Sequence, residues 1–298
     1  MGQDHRAPWE AIVVASGDTG YLRELTDRWP RVKFVLSQQR LFSGQARNVG
    51  VKHSRGEVLI FLDSDCRPSP GWISAILEAH QKGFKAVCGA LANGSPDSMP
   101  GTTEYVVTHS TYSPTLPTRE ISNATAASGN LSVDRDTFEQ SGGFAGTYRA
   151  NDFFFSLKLQ TAGVRIVFWP GASVLCVNSE SPGEFLKGQM TRGYWSAAAR
   201  LESGSQGSIA RKFPPLAFGL FPLRLYRLVG RCIRYRPVTL GVLAKTLPLA
   251  SLGLLAWTWG FFKGALGIKN EGLEEREPLP EGWADFKVLG FTGEGQTG

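Results

Sequence analysis

An apolar run, Val58-Leu-Ile-Phe-Leu62, leads directly into two acids, Asp63 and Asp65. A continuous apolar run predicts a buried parallel strand, and ligands of open α/β sheets collect outside the carboxyl ends of such strands. Acids on alternate positions of an extended segment can point the same way and share a hard divalent cation. Such a cation would neutralise a diphosphate, which indicates nucleotide-sugar chemistry. The triplet alone is common and mostly marks a solvated turn, so the surrounding sequence decides whether it is a functional site.

Strand and helix patterns alternate along the first half of the chain, which predicts a doubly wound α/β layer. Residues 92–127 are rich in Ser, Thr, Pro and Gly with little periodicity, and we expect a long irregular excursion over the active face. Strands are predicted at 11–15, 32–36, 57–62, 85–89, 129–133 and 164–168, and helices at 21–29, 44–54, 72–81, 152–161 and 184–201.

The net charge of +6 is concentrated rather than spread. Basic residues beside apolar sequence favour an anionic membrane surface over nucleic acid as the partner, and a solvated helix face is the alternative. An arginine cluster lies between two apolar stretches: Arg224, Arg227, Arg231, Arg234 and Arg236.

A charge-free segment, residues 246–262, follows the arginine cluster and has Trp257 and Trp259 near one end. As a helix it would be ~25 Å long, just short of a bilayer's hydrocarbon thickness. It would span with thinning, lie in the interface, or pack as a core helix. We therefore divide the chain into a catalytic-type domain at 1–205, a membrane-associated helical region at 206–270 and an acidic flexible tail at 271–298.

The four cysteines, Cys66, Cys88, Cys176 and Cys232, lack CxxC spacing and His partners. This argues against structural zinc and for a reducing compartment. No apolar segment precedes the first predicted strand, so no signal peptide is expected. Together with the C-terminal region, these features predict a location at the cytoplasmic face of the cell membrane.

Several motifs, taken in order, resemble the family 2 glycosyltransferases, and the resemblance implies the GT-A fold with its doubly wound mixed sheet. The resemblance covers roughly residues 3–200 and is far more specific than the acidic triplet. It rests on Gly44-Gln-Ala-Arg47-Asn48-Val-Gly50, the strand ending in Asp63-Ser-Asp65, Pro70-Gly71-Trp72, Ser128-Gly129-Asn130-Leu131-Ser132, Gly142-Gly143-Phe144, Asn151-Asp152 and Ala162-Gly163.

The resemblance implies a metal and donor site on one side. Asp63 and Asp65 would hold Mn²⁺ or Mg²⁺ on the donor diphosphate, Asp65 most directly, and the ion would stabilise the leaving nucleoside diphosphate. Arg47 and Asn48 would contact the nucleotide; the alternative for Arg47 is a cation on a helix surface.

On the other side, the resemblance implies that Asp152 is the general base for an inverting displacement. Its alternative is a helix N-cap, and both roles can hold at once. Asn130 and Asn151 would line the acceptor side, with a turn-stabilising Asn as the alternative at Asn130.

Four departures from the family pattern matter. Asn151 stands where the family usually has Glu, and Cys176 stands where many members have His. The processive synthases carry Gln-x-x-Arg-Trp, whereas this chain has Gln189-Met-Thr-Arg192-Gly193, which favours transfer of single sugars. The family's first strand has no counterpart, so two neighbouring strands should lack their partner.

We therefore expect a metal-dependent, non-processive glycosyltransferase, moving a sugar from a nucleotide-diphospho-sugar to a hydroxyl of a lipid-linked or polysaccharide precursor. One alternative is a non-catalytic remnant or membrane-bound partner protein that has lost donor binding. A nucleotidyltransferase is a second alternative, but it needs a basic Gly-rich loop, and residues 16–20 contain no Lys or Arg.

Overall fold

The computed structural model describes residues 8–17, 22–122, 125–145, 150–202, 214–267 and 287–289. The helices are α1 (Leu22–Arg28), α2 (Ser43–Lys52), α3 (Trp72–Gln81), α4 (Met99–Glu104), α5 (Arg135–Gln140), α6 (Asn151–Thr161), α7 (Pro182–Glu202), α8 (Leu220–Tyr235) and α9 (Leu240–Ala265). The strands are β1 (Ala11–Ser16), β2 (Val32–Ser37), β3 (Val58–Leu62), β4 (Cys66–Pro68), β5 (Ala86–Asn93), β6 (Arg119–Glu120), β7 (Asn130–Asp134), β8 (Ile166–Cys176) and β9 (Lys287–Leu289).

The strands form two sheets, and the larger one is mixed, as predicted. Its order is β3-β7-β5-β8-β4, with β6 paired to β8. Of the strand pairs in the described part of the chain, β5 with β8 is the one parallel pair of this sheet. The prediction of a parallel strand at 58–62 is wrong in one respect, because β3 pairs antiparallel with β7.

The smaller sheet has the order β1-β2-β9, with β1 parallel to β2 and β9 antiparallel to it. Within the described residues, β1 pairs only with β2 and β3 only with β7. Among these residues, β1 and β3 therefore each have one edge without a strand partner. Strand β9 lies in the stretch expected to be a flexible tail; the acidic residues before it lie outside the described residues.

An aromatic core supports the face of the larger sheet beneath the acidic turn. Four phenylalanines from β3, α5, the turn after α5, and α6 pack with ring centroids 4.3–5.9 Å apart: Phe61, Phe138, Phe144 and Phe155. All four are buried. Helix α3 covers the other face through Trp72, Ile73 and Ile76, so the sheet is covered on both sides.

The segment 92–127 is more ordered than predicted. It contains α4, a π-helical turn at Tyr105–His109 and a 3-10 turn at Ser110–Tyr112. Ser98 caps α4 by accepting a hydrogen bond from the Gly101 N–H. Tyr105 and Val106 are almost fully buried against the C-terminal helices. Burial in this tertiary core stabilises helical structure that the local composition does not favour.

The cysteine prediction is wrong for two of the four residues. Cys66 on β4 and Cys176 on β8 are a register pair with Cα atoms 4.1 Å apart, and they form a disulfide. Strand pairing brings together residues separated by 110 positions, which spacing in the sequence does not reveal. Cys88 and Cys232 are buried free thiols. The disulfide removes the argument for a reducing compartment.

The C-terminal region ends in α9, which packs along α7. A Cβ atom on Gly193 would lie 1.9 Å from the Trp257 carbonyl oxygen, and one on Gly260 would lie 1.9 Å from the Met190 carbonyl oxygen. The two backbones therefore cross at glycines. The Trp of the processive motif has no space at position 193, because the α9 backbone occupies it.

Helix α9 is longer than the charge-free segment predicted, at 26 residues. At ~1.5 Å per residue it is about 39 Å long, enough to cross a bilayer. Within the described residues it is the one helix that is long and apolar enough to do so, and a third of its most apolar window is buried inside the fold. It therefore combines a core face with an exposed apolar face.

Candidate active site

The acidic turn after β3 is fixed by backbone hydrogen bonds at both ends. The Asp63 N–H donates to the Gly129 carbonyl at 3.2 Å, and the Val177 N–H donates to the Asp65 carbonyl at 2.9 Å. The disulfide with Cys176 fixes the position of Cys66, which directly follows Asp65. A Cβ atom on Gly129 would lie 2.6 Å from Asp63 Oδ2, so a side chain at position 129 would displace the Asp63 carboxylate. Asp63 and Asp65 are thus held between β7 and β8.

Arg47, on α2, joins Asp63 to Asp152. Its Nη2 lies 2.6 Å from Asp63 Oδ1, and its Nη1 lies 3.9 Å from Asp152 Oδ1. The guanidinium also lies over the Phe144 ring, 5.3 Å from the centroid. The side chain is only 13% exposed, so the alternative of a helix-surface cation is wrong. Its Nη1 is buried and has no hydrogen-bond partner.

Asp152 lies in the first turn of α6, facing Ser128. Both the hydroxyl and the backbone N–H of Ser128 donate to its carboxylate. The N-cap of α6 is Ala150, so the N-cap alternative for Asp152 is wrong. Burial raises the pKa of Asp152, while Arg47 and Ser128 oppose that rise by stabilising the charged form. A carboxylate of raised pKa with 39% of its side chain exposed is suited to accept a proton.

The three predicted asparagines are held by protein groups. Asn48 donates to the Phe144 carbonyl and accepts from the Phe144 N–H, at 2.9 and 3.0 Å. Asn130 accepts from the Trp72 indole and donates to the carbonyls of Ala90 and Ala172. Asn130 is 1% exposed, so these contacts favour its structural alternative.

Asn151, which stands where the family usually has Glu, is buried at the N-terminus of α6. Its amide nitrogen donates to the Ser43 hydroxyl at 3.0 Å, and its Oδ1 is buried without a hydrogen-bond partner. A Cβ atom on Gly44 would lie 2.6 Å from that oxygen, so α2 and α6 meet closely here. Asn151 therefore helps to fix the distance between the helices that carry Arg47 and Asp152.

A second ion pair, which the sequence did not predict, lies on the Asp65 side of the site. Glu104 on α4 is 7% exposed and lies 2.7 Å from Arg192 on α7. It also accepts from the Ser179 N–H at 2.7 Å. Burial, with smaller contributions from Asp63 and Glu104, raises the pKa of Asp65, and Arg192 opposes that rise. In the sequence, the Gln-x-x-Arg spacing that contains Arg192 is the feature that could have indicated this ion pair.

His109, at the end of the π-helical turn, lies within electrostatic range of Arg192, Glu104 and Asp63. Burial and the charge of Arg192 lower its pKa to about 4, against opposing effects of Glu104 and Asp63. Gln189, the other residue of that spacing, donates to the Thr108 hydroxyl at 2.8 Å. π-Helical turns are frequent at functional sites. The segment over the active face therefore places a neutral imidazole close to the acidic turn.

The two acids fit a divalent cation by their chemistry. Oxygen ligands suit Mn²⁺ and Mg²⁺, and the mutual repulsion that contributes to the raised pKa of Asp65 is what a cation would relieve. The described residues contain no group of three or more His, Cys, Asp or Glu placed to hold a metal. The sulfur of Cys176 is in a disulfide and supplies no thiolate. Of the residues singled out in the sequence, Asp63 and Asp65 are the ones that would hold such a cation.

Comparison with solved structures shows the fold class. The mannosyltransferase PcManGT from Pyrobaculum calidifontis, solved with GDP-Man and Mn²⁺, superposes with a TM-score of 0.54 at 15% identity. The superposition covers 87% of this chain and 79% of PcManGT. The shared fold is that of the GT-A glycosyltransferases.

Comparison of sequences gives the family. Residues 3–150 match the model described as Glycosyl transferase family 2. Glycosyltransferase AglE of Haloferax volcanii is 23% identical over 195 residues, 63% of this chain and 62% of AglE. A probable N-acetylgalactosaminyltransferase 7 of Caenorhabditis elegans is 29% identical over 92 residues, 28% of this chain and 15% of that protein. The matches thus cover less than two thirds of either relative. The chain belongs to the family 2 glycosyltransferases, which confirms the predicted family and enzyme class.

Proposed function

We propose that this enzyme transfers a sugar from a nucleotide-diphospho-sugar to an acceptor hydroxyl with inversion. The observation that carries the proposal is the contact series Asp63–Arg47–Asp152, which joins a diphosphate-binding turn to a base. The hydroxyl oxygen bonds to the anomeric carbon as Asp152 takes its proton. The bond from that carbon to the diphosphate breaks, and the nucleoside diphosphate leaves with the electron pair.

The residues of the chain divide this chemistry between them. Arg47 donates from its unpartnered Nη1 to a phosphate oxygen, and Asp63 holds the guanidinium in place. Ser128 orients the Asp152 carboxylate toward the acceptor. Asp63 and Asp65 would hold a divalent cation, which when bound would supply Lewis-acid stabilisation of the leaving diphosphate.

We further infer that transfer is non-processive and that the enzyme works at a membrane surface. The α9 backbone at position 193 leaves no space for the processive tryptophan. Exposed apolar side chains lie on both C-terminal helices, among them Ile233 of α8 and Leu252 and Trp259 of α9. A membrane location favours a lipid-linked or envelope-polysaccharide precursor as the acceptor. Full activity on a soluble acceptor in a membrane-free lysate would count against the lipid-linked acceptor.

The experiment for donor binding is calorimetric titration of the 298-residue chain with UDP and GDP, with and without Mn²⁺. We expect metal-dependent binding that Asp65→Asn abolishes. Glu78→Gln is the matched control, because Glu78 is an exposed acid of α3 whose ion pair in the described part of the chain is with Lys82. If the folded chain binds neither nucleotide, donor binding has been lost, and the non-catalytic alternative replaces the proposal.

A further inference from the structure

A basic cavity lies between α8 and the segment 111–119, on residues to which the proposed reaction assigns no role. Its volume is about 460 Å³. Six of its lining side chains carry guanidinium or phenol groups: Arg119, Tyr226, Arg227, Arg231, Arg234 and Tyr235. We call this cavity the arginine pocket. The predicted arginine cluster on α8 supplies three of these residues, and Arg119 comes from β6.

Within the described residues, no carboxylate forms an ion pair with the arginines of the arginine pocket. Arg231 donates to the Ser110 hydroxyl through Nε and Nη2, and Arg119 donates to the Thr111 carbonyl. Burial lowers the pKa of Arg231, and the charge of Arg119 lowers it further.

One donor in the arginine pocket is buried and unused. Arg119 Nη1 has no hydrogen-bond partner, although its side chain packs over the Phe168 ring at 4.6 Å. A buried donor without an acceptor costs free energy, and so does a pair of facing cations. A bound anion with several oxygens would offset both costs.

Phosphate chemistry fits these groups best. Planar guanidinium groups bind phosphate oxygens through paired hydrogen bonds, and phenol hydroxyl groups can donate to the remaining oxygens. We propose that the arginine pocket binds a phosphate or diphosphate group, at a site separate from the donor site at Asp63 and Asp65. Ser110, which Arg231 contacts, directly follows the π-helical turn that ends at His109. The pocket and the active site therefore share one continuous segment.

The test uses the full-length chain without metal, titrated with inorganic pyrophosphate. Arg227→Gln/Arg234→Gln is the main variant, because both side chains are exposed and their loss leaves the core intact. Arg119→Gln is the second variant. We expect each to weaken pyrophosphate binding at least about tenfold, the effect of losing a charge-assisted hydrogen bond. Arg236→Gln is the matched control, since Arg236 is exposed at the end of α8 and does not line the pocket.

A second arm separates a lipid headgroup from a free phosphate group. The same chains are floated with phosphatidylcholine vesicles that contain or lack phosphatidic acid. Binding to phosphatidic acid that falls in Arg227→Gln/Arg234→Gln but not in Arg236→Gln assigns the pocket to a lipid phosphate. Pyrophosphate binding that depends on the pocket, with no such difference on vesicles, assigns it to a soluble phosphate ester.

Two outcomes would overturn the proposal. One is a folded wild-type chain that does not bind pyrophosphate. The other is binding that survives both pocket variants but is lost in Arg47→Gln, which would place the ion in the donor site. Neither outcome depends on metal-dependent binding of UDP or GDP, so this proposal and the proposed function fail independently.

Discussion

Arg47 shows how a single side chain organises this site. Its fork reaches Asp63 on one side and Asp152 on the other, and the Phe144 ring supports its flat face. The sequence motif singled out Arg47, Asp63 and Asp152, but it assigned Arg47 only to the nucleotide. The sequence did not indicate a role for Glu104, because this residue lies in a segment without hydrophobic periodicity. A single acid in such a segment is not part of a recognisable motif.

We predict that Arg47→Lys lowers kcat/KM by roughly 10²–10³, the range expected when a preorganised donor is removed. An ammonium keeps the charge but cannot contact Asp63 and Asp152 together or present a free Nη1. Steady-state kinetics with the donor identified by calorimetry measures the loss. Arg28→Lys, an exposed position at the end of α1, serves as the control. A loss of kcat/KM below threefold (about 0.7 kcal/mol) would show that the positive charge at position 47 is sufficient for activity.

The pH dependence of kcat/KM tests the role of Asp152. A general base acts when deprotonated, so activity should rise with pH through the raised pKa of Asp152. The Ser128 hydroxyl stabilises the charged carboxylate, so Ser128→Ala should raise this pKa and move the acidic limb to higher pH. Ser132→Ala is the control, a buried serine that contacts His80 instead. An acidic limb that stays in place would contradict the assignment.

At the scale of elements, the crossing of α7 and α9 depends on glycines that give no helical signal. Gly193→Ala places a Cβ atom against the Trp257 carbonyl oxygen, and we expect it to lower the free energy of unfolding by about 1–3 kcal/mol. Gly183→Ala, in the first turn of the same helix, meets only the Ser181 hydroxyl at 3.8 Å and should be neutral or stabilising. Urea denaturation of both variants measures the difference. Equal stabilities would refute the close crossing.

The disulfide is a second element-scale feature, since it fixes β4 to β8 beside Asp65. Breaking it frees a connection of 110 residues, and we expect dithiothreitol to lower the free energy of unfolding by about 2–5 kcal/mol. Metal-dependent nucleotide binding should weaken as well, because the Asp65 carbonyl accepts from the residue after Cys176. The chain with Cys66→Ser/Cys176→Ser should no longer respond to dithiothreitol. A response that persists there would assign it to Cys88 or Cys232.

At the scale of the whole molecule, strand and helix positions followed from the sequence because apolar periodicity is a local property. The predicted strands at 11–15, 32–36 and 57–62 each lie within about one residue of the observed ones. Strand β8 ends eight residues after its predicted end. The prediction stopped early because Trp169-Pro-Gly171 interrupts the apolar pattern that is typical of a strand. Pairing with β5 and β4 keeps that extension in the sheet.

The sequence by itself determined the family, the alternation of strands and helices, and the acids that carry the proposed chemistry. These features depend on short segments of sequence, and the order and spacing of those segments can be seen along the chain. The tertiary structure decided which groups meet: Arg47 with both acids, Cys66 with Cys176, Glu104 with Arg192, and Arg119 with the arginines of α8. Such contacts join residues tens to more than a hundred positions apart, and only the packing of strands and helices sets those distances.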